Sequence, residues 1–214
     1  ELVAATGDEA LHDYVKSAPI STGLGWQNMG TYGILAYLLH AGDRADPETA
    51  GRMRSALMTE AAGVIESYRA EPYGISLGTN YYWGSNLGVA NNAMTLLLAN
   101  IFAPDQEYVE AALEHMSYLV GKNALSQSYI SGFGSRPMQN PHHRPSVAVG
   151  QTVPGMVAGG PNSGGTGGDR VLERAREGLS PMKSYIDDNG SYASNEVTIY
   201  WNSPVYFVLA LLNL

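Results

Sequence analysis

The sequence predicts an all-α fold. Residues that cap helices stand directly before a proline or an apolar stripe, and the stripes recur at three- and four-residue steps. No stretch alternates apolar and polar residues for long enough to build a sheet. A chain of this kind packs as antiparallel helices joined by loops.

"ELVAA" reads as the end of a helix broken at Thr6-Gly7, with a second helix beginning near Asp8. The chain is therefore expected to begin inside a larger domain. A short helix is predicted from about Gln27 to Leu39, followed by "AGDRADP" (41–47) as an exposed interhelical turn. Asp46 caps the next helix and Pro47 takes its first position, where a missing N–H costs nothing. Met53, Leu57, Ala61, Val64, Ile65 and Tyr68 then share one face. A further helix is predicted from Ser85 to Phe102. Asp105 opens another, with Val109, Leu113, Met116 and Val120 on its stripe and Gly121 placed to end it. Ser203-Pro204 repeats the cap-then-proline signal for a last helix reaching Leu212.

Between Ser126 and Tyr200 sustained periodicity is lost except around Val171 to Glu177. Segments this long without structure of their own are functional or disordered. This one carries Tyr129, His142, His143, Arg144, Asp187, Asp188, Tyr192 and Glu196, more aromatic residues than disorder favours. It reads as a site-building segment on a helical scaffold.

Composition excludes several classes. The 214 residues suffice for a substantial core, and 44% hydrophobic with only 15% charged residues argues against disorder. A net charge of −8 disfavours nucleic acid and anionic membrane as partners. No apolar run reaches the roughly 20 residues of a membrane span. With no cysteine there is no disulfide frame, thiol nucleophile or thiolate metal site.

"NPHHRPS" (140–146) sets two histidines and an arginine between prolines. Metal ligands, catalysts, sugar holders and plain polar surface are the alternatives. Adjacent histidines in an extended loop point apart, and no H-x-x-x-H spacing is present, so no metal is expected here. In an extended segment His142 and Arg144 share a face and could both donate to one polar ligand, which favours hydroxyls. "VAGGPNSGGTGGDR" (157–170) lacks the G-K-[ST] ending of a phosphate loop and reads as a flexible loop or cleft wall. "YIDDNGSYASNEVTIYWNS" (185–203) sets Asp187, Asp188 and Glu196 among Tyr185, Tyr192, Tyr200 and Trp201. Aromatic surroundings disfavour the charged carboxylate, as a general acid requires, and rings beside carboxylates also hold sugars. Surface acids at a helix entry explain the pattern equally well. "LGWQNMGTY" and "NYYWGSNLG" add aromatic residues just before predicted helices, where they would line the mouth of a helical barrel.

"SYISGFGSRPMQNPHHRPS" followed by "NEVTIYWNSP" resembles the two signature regions of glycoside hydrolase family 9, the inverting cellulases. "YYWGSNLGVANNAM", "YLVGKNALSQSYISGFG" and "VPGMVAGGPN" resemble the same family in the same order. The resemblance implies an (α/α)6 barrel of which residues 1–214 are about the C-terminal half. It implies Glu196 as general acid, His142 as the active-site histidine, Arg144 as a sugar-gripping arginine and Asp187 as support for the acid. Tyr192 is the signature aromatic, and Trp201 and Trp83 fall where the family stacks rings on sugar. The catalytic base, a D-A-G-D motif, would lie in the N-terminal half; "HAGDRADP" resembles it only superficially. The implied partners are a β-1,4-glucan and that N-terminal half, with secretion to the extracellular space. No cofactor is implied, and although some relatives bind calcium, no site for it is placed. A non-catalytic β-glucan-binding protein is the alternative reading. An unrelated helical-barrel enzyme such as a terpenoid cyclase lacks its D-D-x-x-D motif here.

Overall fold

The computed structural model describes residues 2–213. Among them ten α-helices follow one another: α1 Leu2–Thr6, α2 Glu9–Ser17, α3 Gly30–His40, α4 Pro47–Ala70, α5 Ser85–Phe102, α6 Gln106–Leu119, α7 Arg144–Val149, α8 Arg170–Ala175, α9 Tyr192–Asn195 and α10 Ile199–Leu212. Among the described residues the remaining pairings are isolated bridges, so the all-α expectation holds.

The caps explain most boundaries. The Asp8, Asp46 and Asp105 side chains accept backbone N–H groups that would otherwise be orphaned at the starts of α2, α4 and α6. α3 starts later than predicted because Asn28 is engaged outside the helix. It donates to Thr22 O (2.7 Å) and accepts from Gly30 N (3.1 Å). α10 starts earlier, which corrects the Ser203-Pro204 reading. Its cap is Thr198, whose Oγ1 accepts from Trp201 N (3.0 Å), and Pro204 lies inside the helix. The carbonyl that proline leaves without an N–H, Tyr200 O, accepts from Ser203 Oγ instead (3.3 Å).

α5 is buried at most of its positions and forms the centre of the molecule, with α4, α6 and α10 packed around it. Leu97, Leu98, Met116, Leu119, Val205 and Val208 meet in the principal core, and Leu96, Ala61 and Ile65 join α4 to α5 and α6. Each leucine fully buried there contributes about 1.5–3 kcal/mol. A third cluster of Ile34, Tyr37, Ala41 and Met53 holds α3 on α4.

The segment after α6 is anchored. Tyr129 N donates to Leu119 O (2.8 Å) and Ala158 N to Tyr129 O (2.9 Å). On the other side of residues 158–160, Gly159 N donates to Glu196 O and Gly160 N to Ser194 O, both at 2.9 Å. Bridges join Ile130 to Val157, Ala158 to Val197 and His142 to Glu196, so four stretches distant in sequence lie side by side. Of the two readings of residues 157–170, flexible loop or cleft wall, the first does not fit residues 157–162, which are buried. Gly160 has φ +91°, and a Cβ there would come within 2.4 Å of Asn86, so only glycine lets this seam cross the start of α5. Asn86 in turn donates from Nδ2 to Ala158 O (2.9 Å).

His115 of α6 is fully enclosed, donating from Nδ1 to Ala111 O (2.7 Å) and stacked on Tyr68 of α4. Burial holds its pKa down to about 4 from the ordinary 6.5. As pH falls the unfolded chain therefore takes up this proton first. The stability gained by folding His115 neutral is complete above about 6.5 and is lost as pH falls toward about 4. Urea midpoints followed over this range should fall less steeply for His115→Phe than for the parent; parallel curves would contradict the assignment.

Candidate active site

The site forms where α5 and α10 begin. Trp83 lies just before α5 and Glu196 just before α10, and the seam of bridged segments carries His142 to Glu196. The residue that ties these pieces together is Asn195, which is completely buried. Its backbone carbonyl accepts from His142 N (2.8 Å). Its Oδ1 accepts from the Tyr185 hydroxyl (2.6 Å), and its Nδ2 donates to Asn140 O (2.5 Å) and Asp187 Oδ1 (3.1 Å). Burial pushes Tyr185 well above the ordinary phenol range, which keeps it a neutral donor.

Asp187 completes the knot. Its two oxygens accept from Gln139 N and Asn140 N, each at 2.8 Å, so this carboxylate staples the histidine loop to the segment preceding Glu196. Asp188 serves its own turn, accepting from Gly190 N (2.7 Å). Asp169, also buried, accepts from Ser191 Oγ (2.9 Å) and Ala193 N (2.8 Å) while capping α8 through Leu172 N (2.9 Å). The glycine-rich segment is thereby bound to α9.

Glu196 is half-buried, and its Oε2 accepts from Trp83 Nε1 (3.3 Å). The Trp83 ring leans on Tyr192 (centroids 5.8 Å apart, 40° between planes), and Tyr192 meets His142 edge-on at 5.8 Å. The Tyr192 hydroxyl donates to Gly167 O (3.1 Å). His142 donates from Nδ1 to Asn189 O (2.6 Å), which leaves Nε2 as its remaining polar atom for a ligand. One carboxylate, one imidazole and two rings therefore meet at the mouth of the helical array.

The expected arrangement changes in three places. Arg144 does not continue an extended strand from His142. It opens α7, exposed, after His143, which caps that helix by accepting from Ser146 N (3.4 Å). The two histidines thus do different work. Trp201 is 6% exposed, and its ring is packed so tightly that a Cβ at Gly84 or Gly159 would approach it to 2.9 or 2.8 Å. Its faces are engaged in packing and are not open to a sugar. Tyr200 also turns away from Glu196, placing its hydroxyl beside Gly25. The ring system beside Glu196 is Trp83 and Tyr192, drawn from two distant segments. Trp83 remains 38% exposed, as do Tyr82 at 38% and Trp26 at 74%.

Helices packed around α5, with a carboxylate, an imidazole and aromatic rings gathered where α5 and α10 begin, fit the all-α class of (α/α)6 helical barrels. The chain belongs to glycosyl hydrolase family 9, whose family model matches residues 1–209. It is 32% identical to endoglucanase D of Acetivibrio thermocellus across 98% of this chain and 32% of that protein. It is 35% identical to a cellodextrinase of Butyrivibrio fibrisolvens across 89% of this chain and 35% of the relative. The structure of AaCel9A in complex with cellobiose-like isofagomine matches with a TM-score of 0.89 and 36% identity, over 100% of this chain and 42% of that one. The chain spans about a third of the length of these curated relatives.

Asn195→Asp tests the knot. The change is isosteric but turns an oxygen toward the Asn140 carbonyl and the Asp187 carboxylate, neither of which can donate. It should destabilise the fold by about 1–3 kcal/mol and speed amide exchange at His142. Unchanged stability and unchanged exchange would show that the knot does not hold the loops.

Proposed function

We propose that this chain supplies the general-acid side of an inverting hydrolase of β-1,4-glucans. The observation that carries the reading is Glu196. It lies within the stretch that resembles the family signature, stands between α9 and α10 and is bridged to His142, with Oε2 held by Trp83. In this reading Glu196 protonates the leaving glycosidic oxygen, and His142 and Arg144 grip sugar hydroxyls. Asp187 supports the acid through the Asn195 knot, while Tyr192 and Trp83 offer ring surface. The names of the relatives, an endoglucanase and a cellodextrinase, and the isofagomine complex support a glucan as substrate.

Inversion also needs a base that activates water on the opposite face of the sugar, its carboxyl roughly 6.5–9.5 Å from the acid. We assign that base to the N-terminal part of the family's catalytic domain, as the resemblance implies. An apolar face formed by α6, α10 and the segment that follows α6 supports this division. Leu113, Val120, Phe133, Tyr206 and Leu209 are exposed together along it, where the remaining barrel helices would pack. Secretion to the extracellular space belongs to the same proposal; no helix among the described residues is long and apolar enough to cross a membrane.

In the complete catalytic domain, Glu196→Gln should lower kcat on cellooligosaccharides by about 10²–10⁴-fold and spare aryl cellobiosides with good leaving groups. A loss below tenfold would remove Glu196 from the role. The 214-residue chain alone should release no sugar from soluble cellulose derivatives. Sustained turnover by the chain, with its intact mass verified, would overturn the division of acid and base.

A further inference from the structure

The geometry points to Trp83 as a positioning residue that decides which oxygen of Glu196 carries the catalytic proton. This rests on the acid role proposed above for Glu196. An indole N–H can only donate, so Oε2, 3.3 Å from Trp83 Nε1, is the accepting oxygen in this contact. The better acceptor is the carbonyl oxygen, so the contact favours the acid form with its proton on Oε1, and Oε1 is the atom that delivers it to the leaving oxygen. A carboxyl group otherwise turns easily about its last torsion, whose preferences are broad. The indole biases that freedom, because a half-turn would offer the N–H a hydroxyl oxygen, a poorer acceptor than the carbonyl oxygen.

The ring is itself held in place. Tyr192 lies against it, and a Cβ at Gly167 would stand 3.2 Å from Cζ3, so only a glycine backbone admits the ring there without a shift. The Tyr192 hydroxyl bonds to the carbonyl of that same Gly167, which keeps the two supports of the indole in register. The tyrosine behind the indole also touches His142, so one aromatic chain sets the orientation of both polar groups. A ring serving only as a sugar platform would not need its N–H directed at the carboxylate.

The test compares Trp83→Phe, which keeps a ring and removes the N–H, with Glu196→Gln and the double variant in the complete catalytic domain. On cellotetraose, Trp83→Phe should lower kcat by up to about tenfold, the scale of one net hydrogen bond, with KM within about twofold. On dinitrophenyl cellobioside, which needs little protonation, kcat should change by less than about twofold. Added to Glu196→Gln, the Phe change should have almost no further effect, because its target is already lost. Trp83→His, which restores a ring N–H, should recover part of the lost kcat and provides the comparison should the Phe variant fail to fold. A raised KM with kcat intact, equal losses on both substrates, or full additivity in the double variant would overturn the inference. An active Glu196→Gln would instead overturn the acid assignment beneath it.

Discussion

Asn195 holds three partners through its side chain and a fourth, His142 N, through its own carbonyl, and the geometry of the site follows from that. Its amide faces two oxygens that can only accept and one phenol that donates, so its orientation has a single solution. Its own carbonyl then fixes the backbone of His142, while the next residue in the chain is Glu196. A buried polar network is costly when incomplete and rigid when complete. Here the network is complete around Asn195, so the loops at residues 140 and 187 and the end of α9 are tied into one unit.

The helices set the position of that body. α5 and α10 pack side by side and begin at the same end, and the seam of residues 157–160 crosses both starts. Gly160 permits the crossing, and the Asn86 side chain and backbone fasten it to α5. Trp201 fills the space beneath, between Gly84 and Gly159. The residues nearest the carboxylate thus depend on the core as much as on one another. A loop without this floor could present the same side chains but could not hold their spacing.

The helical scaffold was legible because caps and apolar stripes are local signals. Asp46-Pro47 and Asp105 marked α4 and α6 to within a residue. Ser203-Pro204 misled because Thr198 makes the stronger cap and a hydroxyl serves the carbonyl that the proline abandons. Within the site, Glu196, His142, Asp187 and Tyr192 could be named from motif resemblance, and the structure brings them together. Asn195 could not, because its importance lies in partners 8 to 55 positions away. Asp169 was closer to reach, as an aspartate directly before an apolar-periodic stretch is a cap signal. Trp201 looked like a sugar platform because sequence gives the ring but not the two glycines pressed against it. The partnership of Trp83 with Glu196 spans 113 positions and leaves no local trace.

The most direct test is a crystal structure of the complete catalytic domain bearing Glu196→Gln with an uncleaved cellooligosaccharide. The account predicts a glycosidic oxygen within about 3 Å of the side chain at position 196, with His142 and Arg144 on hydroxyls of an adjoining sugar. It also predicts an unbroken Asn195 network beneath them. A sugar chain whose bonds all lie beyond reach of position 196, while His142 and Arg144 face solvent, would contradict it.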